Sequence, residues 1–231
     1  MNERTWSNCS LVVLLGPPGV GKGTLADFCV TEMGFRAVST GQILREHITN
    51  ETSLGEKVKR QMTMGQLVDD SLVDQIFESW FVQQQRDVPV LLDGYPRTVQ
   101  QANFLLQLLR QYNLERSCAV FLMEADVSIV KARILGRLLC VNRTCGKVYA
   151  ASSLVDGAKL CQLCGGSLIK RGDDNTDVAL RRLNDYLSIK KELVDFFKQM
   201  GVAVVVSDTS QQTPEEVFGD FKYKISCALA Y

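Results

Sequence analysis

Between residues 16 and 24 the chain reads Gly-Pro-Pro-Gly-Val-Gly-Lys-Gly-Thr, entered directly from the apolar run Leu11 to Leu15. Glycines at this density let successive backbone N–H groups converge on one point without interference from Cβ atoms. A helix starting at the end of the run brings its positive dipole end to the same point. What such a cradle holds is a phosphate. Lys22 adds a mobile point charge able to reach the β- and γ-phosphates of a nucleotide, and Thr24 offers a hydroxyl to the metal-phosphate region. In the usual spacing the hydroxyl follows the lysine directly; here Gly23 does, and the hydroxyl is displaced by one position. The alternative is a glycine-rich turn that holds nothing.

A second constellation is Leu91-Leu92-Asp93-Gly94-Tyr95-Pro96-Arg97-Thr98. A carboxylate at the end of an apolar strand, as Asp93 is, can hold a magnesium ion through water. Gly94 and Pro96 shape a turn that aims Arg97 inward. Taken alone, Asp-Gly at a strand end is equally turn chemistry; a phosphate loop in the same chain favours the metal. A third is Cys140, Cys145, Cys161 and Cys164, in the pattern C-x4-C…C-x2-C with Gly146 and Gly165-Gly166 after the second member of each pair. Four thiolates so spaced suit a closed tetrahedral zinc with no position left for catalysis, and unmetallated thiols are the alternative.

These groups need a scaffold. At 231 residues the chain fits one large α/β domain with small insertions. The formal net charge is zero, which points away from nucleic acid and from acidic membrane surfaces. The only early apolar stretch is the five-residue run that feeds the loop, too short for a signal peptide or a membrane span, so a soluble cytoplasmic protein is expected. Four of the eight cysteines cluster, which indicates a metal site and not a disulfide framework; Cys9, Cys29, Cys118 and Cys227 read as small buried residues. Strands are expected at Leu11–Leu15, Phe35–Ser39, Val88–Asp93, Cys118–Met123 and Val202–Ser207, with amphipathic stretches such as Gln100–Gln111 and Ile189–Gln199 between them. That alternation implies a parallel sheet with helices on both faces, and ligands at the carboxyl ends of its strands. Thr213-Pro214-Glu215-Glu216 carries the marks of a helix start. Polar Thr40–Val68 and cysteine-rich Gly136–Asp174 break the rhythm and read as insertions over the site.

The motif order resembles the adenylate kinase family of the long-lid type. The phosphate loop is followed by Ser-Thr-Gly-Gln-Ile-Leu-Arg at 39–45, Met-Gly-Gln-Leu-Val at 64–68 and Leu-Asp-Gly-Tyr-Pro-Arg-Thr-Val-Gln-Gln-Ala at 92–102. Then come Arg133-Ile134-Leu135-Gly136-Arg137, Arg171-Gly172-Asp173-Asp174-Asn175 and Arg182-Leu183. The resemblance spans nearly the whole chain. It implies a P-loop nucleoside-monophosphate-kinase fold: a five-stranded parallel sheet with helices on both faces and two inserted mobile subdomains. The core would be 1–38, 69–135 and 175–231, the acceptor-binding insertion 39–68 and the lid 136–174.

By the same resemblance the activity is reversible magnesium-dependent transfer of the terminal phosphoryl group from ATP to AMP, giving two ADP. Catalysis would rest on Lys22, Arg97, Arg133, Arg137, Arg171 and Arg182. ATP would be held by Gly19, Val20, Gly21, Lys22, Gly23, Thr24, Arg133, Arg137, Val148 and Tyr149. AMP would be held by Thr40, Gly41, Arg45, Gln66, Val68, Gly94, Arg97, Gln101, Arg171 and Arg182, with Gln101 reading the adenine edge and Arg45 and Arg97 forking onto the phosphate. Arg133 and Arg137, four apart, are expected on one face of a helix. Zinc in the lid and magnesium at Asp93 complete the set, and a monomer is expected. The lone histidine, His47, reads as a surface residue, since an acceptor that is already an ionised phosphate needs no general base. Gln42, Asp69, Leu25 and Leu138 depart from the family pattern, the last removing an arginine from the donor side. A GTP donor, or a non-catalytic nucleotide-sensing protein on the same fold, are the other readings.

Overall fold

The structure is a computed structural model and describes residues 11–63, 68–83, 88–114, 117–142, 145, 147–150, 154, 159–170 and 176–229. Strands β1 (Leu11–Leu15), β2 (Arg36–Ser39), β3 (Val90–Asp93), β4 (Cys118–Glu124) and β8 (Ala203–Asp208) form one sheet in the order β2-β3-β1-β4-β8, with every pairing parallel. β1 lies between β3 and β4, in register Val12↔Leu91 and Val12↔Ala119. All five expected strands are present within two residues of their expected ends.

The central strands are apolar throughout because both faces are covered. Leu11, Val13, Leu15, Leu92, Val120 and Leu122 pack on one side against α4 (Asp70–Val82), α5 (Val99–Gln111) and α7 (Thr176–Gln199). Val12, Leu14, Leu91, Phe121 and Met123 point the other way, against α1 (Lys22–Met33) and α8 (Pro214–Ala228). Alternation of side chains along a strand requires this division. Phe121 is fully buried and edge-on to Phe221 at 5.1 Å, so truncating it to alanine costs about 3–5 kcal/mol.

Local signals fix the helix ends near the site. Thr213 accepts from Glu216 N at 3.2 Å while the Glu216 side chain accepts from Thr213 N at 2.8 Å, closing a capping box ahead of Pro214. Asp69 caps α4, accepting from Ser71 N and Leu72 N. Between β2 and α4 lie α2 (Thr40–Thr49) and α3 (Ser53–Thr63), packed on each other. His47 joins them through Thr52, Nδ1 to Oγ1 at 3.0 Å. After α6 (Val127–Leu135) the chain forms a separate antiparallel sheet of β5 (Arg137–Cys140), β6 (Val148–Ala150) and β7 (Leu168–Lys170), in the order β6-β5-β7. No helix among the described residues is long and apolar enough to cross a membrane.

Three expectations change. Arg133 and Arg137 do not share a helix: Gly136 caps α6 and Arg137 is the first residue of β5. Cys227 is exposed on α8, while Cys29 and Cys118 are buried as expected and Cys9 lies outside the described residues. The stretch Ile189–Gln199 is only the end of the 24-residue α7.

Candidate active site

The phosphate loop leaves β1 at Gly16 and closes into α1 at Lys22. Its glycines are sterically required. A Cβ at Gly16, where φ is +154°, would stand 2.7 Å from Met123 O, and one at Gly19, where φ is +81°, would stand 2.6 Å from Ile134 Cγ1. β4 and α6 therefore press the loop from outside. Lys22 folds back over it, Nζ donating to Gly16 O at 2.8 Å and Pro17 O at 3.0 Å. Burial lowers its pKa, the Asp93 carboxylate opposes that shift, and the Arg97 and Arg137 guanidiniums reinforce it. Lysine, aspartate and two arginines thus share one electrostatic neighbourhood at the carboxyl ends of β1 and β3.

On the other side, the turn after β3 positions Arg97. Its Nε donates to Gly94 O at 2.8 Å, and Thr40 Oγ1 donates to the same carbonyl at 2.9 Å, tying α2 to the turn; the Tyr95–Pro96 peptide is cis. A Cβ on Gly41 would stand 3.3 Å from Arg45 Nη1 and 3.8 Å from Arg97 Nη2. Two guanidiniums that flank one backbone position repel each other unless an anion joins them. Arg133, from α6, donates through Nη2 to Thr209 O at 3.0 Å.

All of these groups line one continuous cleft of about 1490 Å³. Its walls include Gly19 to Thr24, Thr40, Gly41, Arg45, Val68, Asp93, Gly94, Arg97, Gln101, Arg133, Arg137, Val148, Tyr149 and Arg182. Gln66 and Arg171 lie outside the described residues. Gln101 is only 3% exposed, and both ends of its amide are engaged by protein partners, Arg97 N and Asp70. Tyr149 reaches the cleft wall, but its hydroxyl lies 3.3 Å from Cys161 Sγ.

A family model for adenylate kinase matches residues 14–202. The chain is 35% identical over 208 residues to an adenylate kinase of Clostridium tetani, covering 90% of this chain and 94% of that one. It is 34% identical over 212 residues to an adenylate kinase of Methanosarcina barkeri, covering 91% and 96%, and 38% identical over 190 residues to one from Fervidobacterium nodosum, covering 81% and 85%. The chain belongs to the adenylate kinase family. It is therefore placed among the nucleoside monophosphate kinases.

Seen in three dimensions, the departures from the family pattern are absorbed locally. Gln42 donates to Glu46 Oε1 at 3.1 Å, one turn along α2. Leu25 is buried in the core beneath α1, and Asp69 is the α4 cap. Leu138 is half-buried and packs its apolar side chain against the cluster of Cys140, Leu154 and Leu168 in the small sheet.

Adenylate kinases act on ATP with magnesium, and Asp93, at the end of β3 beside Lys22, is a carboxylate of the kind such an ion accepts. The cysteine cluster fits zinc. Tetrahedral ligation with bonds near 2.3 Å sets sulfurs roughly 3.8 Å apart. Here Cys140 and Cys164 are 3.4 Å apart, Cys145 and Cys161 are 3.6 Å apart, and all four sulfurs lie within 4.8 Å of one another. A Cβ on Gly166 would meet Cys140 Sγ at 3.0 Å and Cys164 Sγ at 3.4 Å, so the knuckle packs tightly against this glycine. The Tyr149 hydroxyl draws the Cys161 thiol down to about 6, while burial drives Cys140 up to about 12. A bound zinc would supply the positive charge that lets all four lie together as thiolates.

Two site residues escaped sequence reasoning. Thr209, fully buried after β8, donates to Glu124 O at 3.1 Å, lies 3.4 Å from Val20 O, and presents its carbonyl to Arg133. Asp70 stands behind Gln101. A buried threonine after a strand carries no motif, whereas Asp70 directly follows an N-cap and could have been read only as helix punctuation.

Proposed function

We propose that this chain catalyses reversible transfer of the terminal phosphoryl group from ATP to AMP, giving two ADP, in a magnesium-dependent reaction. The observation that carries this reading is the convergence of Lys22, Arg45, Arg97, Arg133, Arg137 and Arg182 on one cleft entered by the phosphate loop, with no histidine on its described walls. The γ-phosphorus exchanges its bond to the ADP oxygen for one to an AMP phosphate oxygen. No proton has to be removed from the acceptor, so positioned cations are the main requirement.

In this reading Lys22 gives up the Gly16 and Pro17 carbonyls for phosphate oxygens, and the N–H groups of Gly19 to Thr24 hold the donor. Arg45 and Arg97 fork onto the AMP phosphate, Gln101 reads adenine, and Thr40, Gly41, Val68 and Gly94 shape the pocket around the nucleotide. Arg133, Arg137 and Arg182 close on the transferring group, joined by Arg171, while Gln66 belongs with the AMP pocket by the family resemblance and Val148 and Tyr149 lie beside the donor. Asp93 would hold, through water, the magnesium that comes with ATP, which would neutralise part of the phosphate charge. Segments 39–68 and 136–174 would close over the core formed by 1–38, 69–135 and 175–231, excluding water and completing the arginine set. The four lid cysteines would hold a structural zinc. A neutral chain of this kind would act in the cytoplasm as a monomer, without nucleic-acid or membrane partners.

The test is ADP formation from ATP, and separately GTP, with AMP, GMP, CMP and UMP in turn, with and without magnesium. Conversion of AMP that requires magnesium and is abolished in Arg97→Ala supports the reading. Tight nucleotide binding without transfer to any acceptor would instead favour a nucleotide sensor.

A further inference from the structure

Gln101 lines the cleft with its amide held at both ends. Oε1 accepts from Arg97 N at 2.7 Å, and Nε2 donates to Asp70 Oδ1 at 2.8 Å. Both partners have fixed polarity, since a backbone N–H only donates and a carboxylate only accepts. Turning the amide over would set NH2 against N–H at one end and oxygen against a carboxylate at the other.

Asp70 is itself held. Its Oδ2 accepts from Thr98 Oγ1 at 2.5 Å, and that hydroxyl accepts from Gln101 N at 3.1 Å as the cap of α5. Asp70 opens α4, next to the Asp69 cap, and stands behind the cleft wall, so it reaches the cleft through Gln101. Arg97 N–H, Gln101, Asp70 and Thr98 close a ring of hydrogen bonds across two helix starts that are 31 residues apart at the Asp70–Gln101 link.

We infer that Asp70 is the positioning residue that sets the base preference of the acceptor site, by locking the Gln101 amide in the orientation that accepts adenine and rejects guanine. This rests on the reading of Gln101 as the residue that meets the AMP base. After Arg97 and Asp70 each take one valence, Oε1 keeps a lone pair and Nε2 keeps a proton. Adenine offers an N6 donor and an N1 acceptor, which complement them. Guanine offers an O6 acceptor and an N1 donor, which repel at both points. A freely rotating glutamine would turn by half a revolution and take either base. The lock therefore converts a neutral, reversible amide into a one-way reader.

The experiment is equilibrium binding of AMP and GMP to the full chain and to Asp70→Asn and Asp70→Ala, with thermal unfolding and kcat/KM for both acceptors alongside. Asparagine keeps the size of Asp70 but can turn either oxygen or NH2 toward Gln101, so it removes the Nε2 half of the lock without leaving a hole and leaves Arg97 N–H as the one partner of fixed polarity. The AMP-to-GMP binding ratio is expected to fall about ten-fold in Asp70→Asn, the worth of one mispaired hydrogen bond, and at least as far in Asp70→Ala, while the KM for ATP holds. A helix-docking role alone would lower both affinities together and leave the ratio unchanged. An unchanged ratio in Asp70→Asn overturns the inference, as does a wild type that binds AMP no more tightly than GMP. Because the ratio is read at equilibrium, a wild type that discriminates but transfers no phosphoryl group sinks the kinase reading alone.

Discussion

Lys147 Nζ donates to Asp27 Oδ2 at 2.5 Å across 120 residues of sequence, joining the loop before β6 to the exposed side of α1. The two side chains remain 37% and 55% exposed, so the pair contributes less than about 1 kcal/mol to stability. It does, however, bridge the small sheet and the core. Lys147→Ala should leave the melting temperature nearly unchanged and lengthen the mean distance between fluorophores on the two parts. An unchanged distance in the variant would show that the ion pair does not restrain the small sheet.

Arg45 and Arg97 bring their guanidiniums to the same backbone position at Gly41, on the acceptor side of the cleft. Each preorganised donor of this type is worth about 10²–10³-fold in kcat when it meets charge in the transition state. Arg97→Ala should fall in that range in steady-state ADP formation, whereas Gln42→Asp should change it by less than about three-fold, because Gln42 spends its side chain on Glu46.

The cysteine cluster predicts about one zinc ion per chain by elemental analysis of protein purified without chelator. Removing it should lower the melting temperature and make four thiols titratable, because among the described residues the small sheet buries only a handful of apolar side chains around Cys140 and Cys161. Protein with no metal and the same melting temperature would contradict that account.

Asp74 is buried on the inner face of α4 and accepts from Tyr95 Oη at 2.6 Å. Burial holds its carboxyl above the ordinary 3.8, the Tyr95 hydrogen bond opposes this, and Asp70 and Asp69 add to the shift. The folded state therefore prefers the proton. This contribution is present in full below the unfolded value of 3.8 and is lost as pH rises through the higher folded value. Asp74→Asn should melt higher than wild type at neutral pH, with the gap closing toward pH 4. A lower melting point at neutral pH would show that the charged hydrogen bond to Tyr95 outweighs the burial.

Sequence reading succeeded where one physical cause dominates. β1, β3 and β4 are covered on both faces, so their apolar runs stand out, and the phosphate loop has few chemical alternatives. It failed where causes mix. The first half of α7 carries Arg181, Arg182, Asn184 and Asp185, and turns Arg182 and Asp185 to the cleft, so its apolar stripe emerges only near Ile189. α6 ends at Gly136, which moves Arg137 from a helix to a strand without any change in spacing along the chain. The three strands of the small sheet are 3 or 4 residues long, too short for a period to show. The Asp70–Gln101 pairing depends on how α4 meets α5, which local pattern does not encode.

β1 has a strand on each edge and helices on both faces, and the phosphate loop hangs from its end. The amides of Val12 to Leu14 can therefore exchange with deuterium only when the whole molecule unravels. Their protection would serve as a ruler for global stability, while α2, α3 and the small sheet exchange on far faster clocks. A damaged periphery would then leave the anchor of the donor site standing, so variants that misfold at the edges should still retain a phosphate grip.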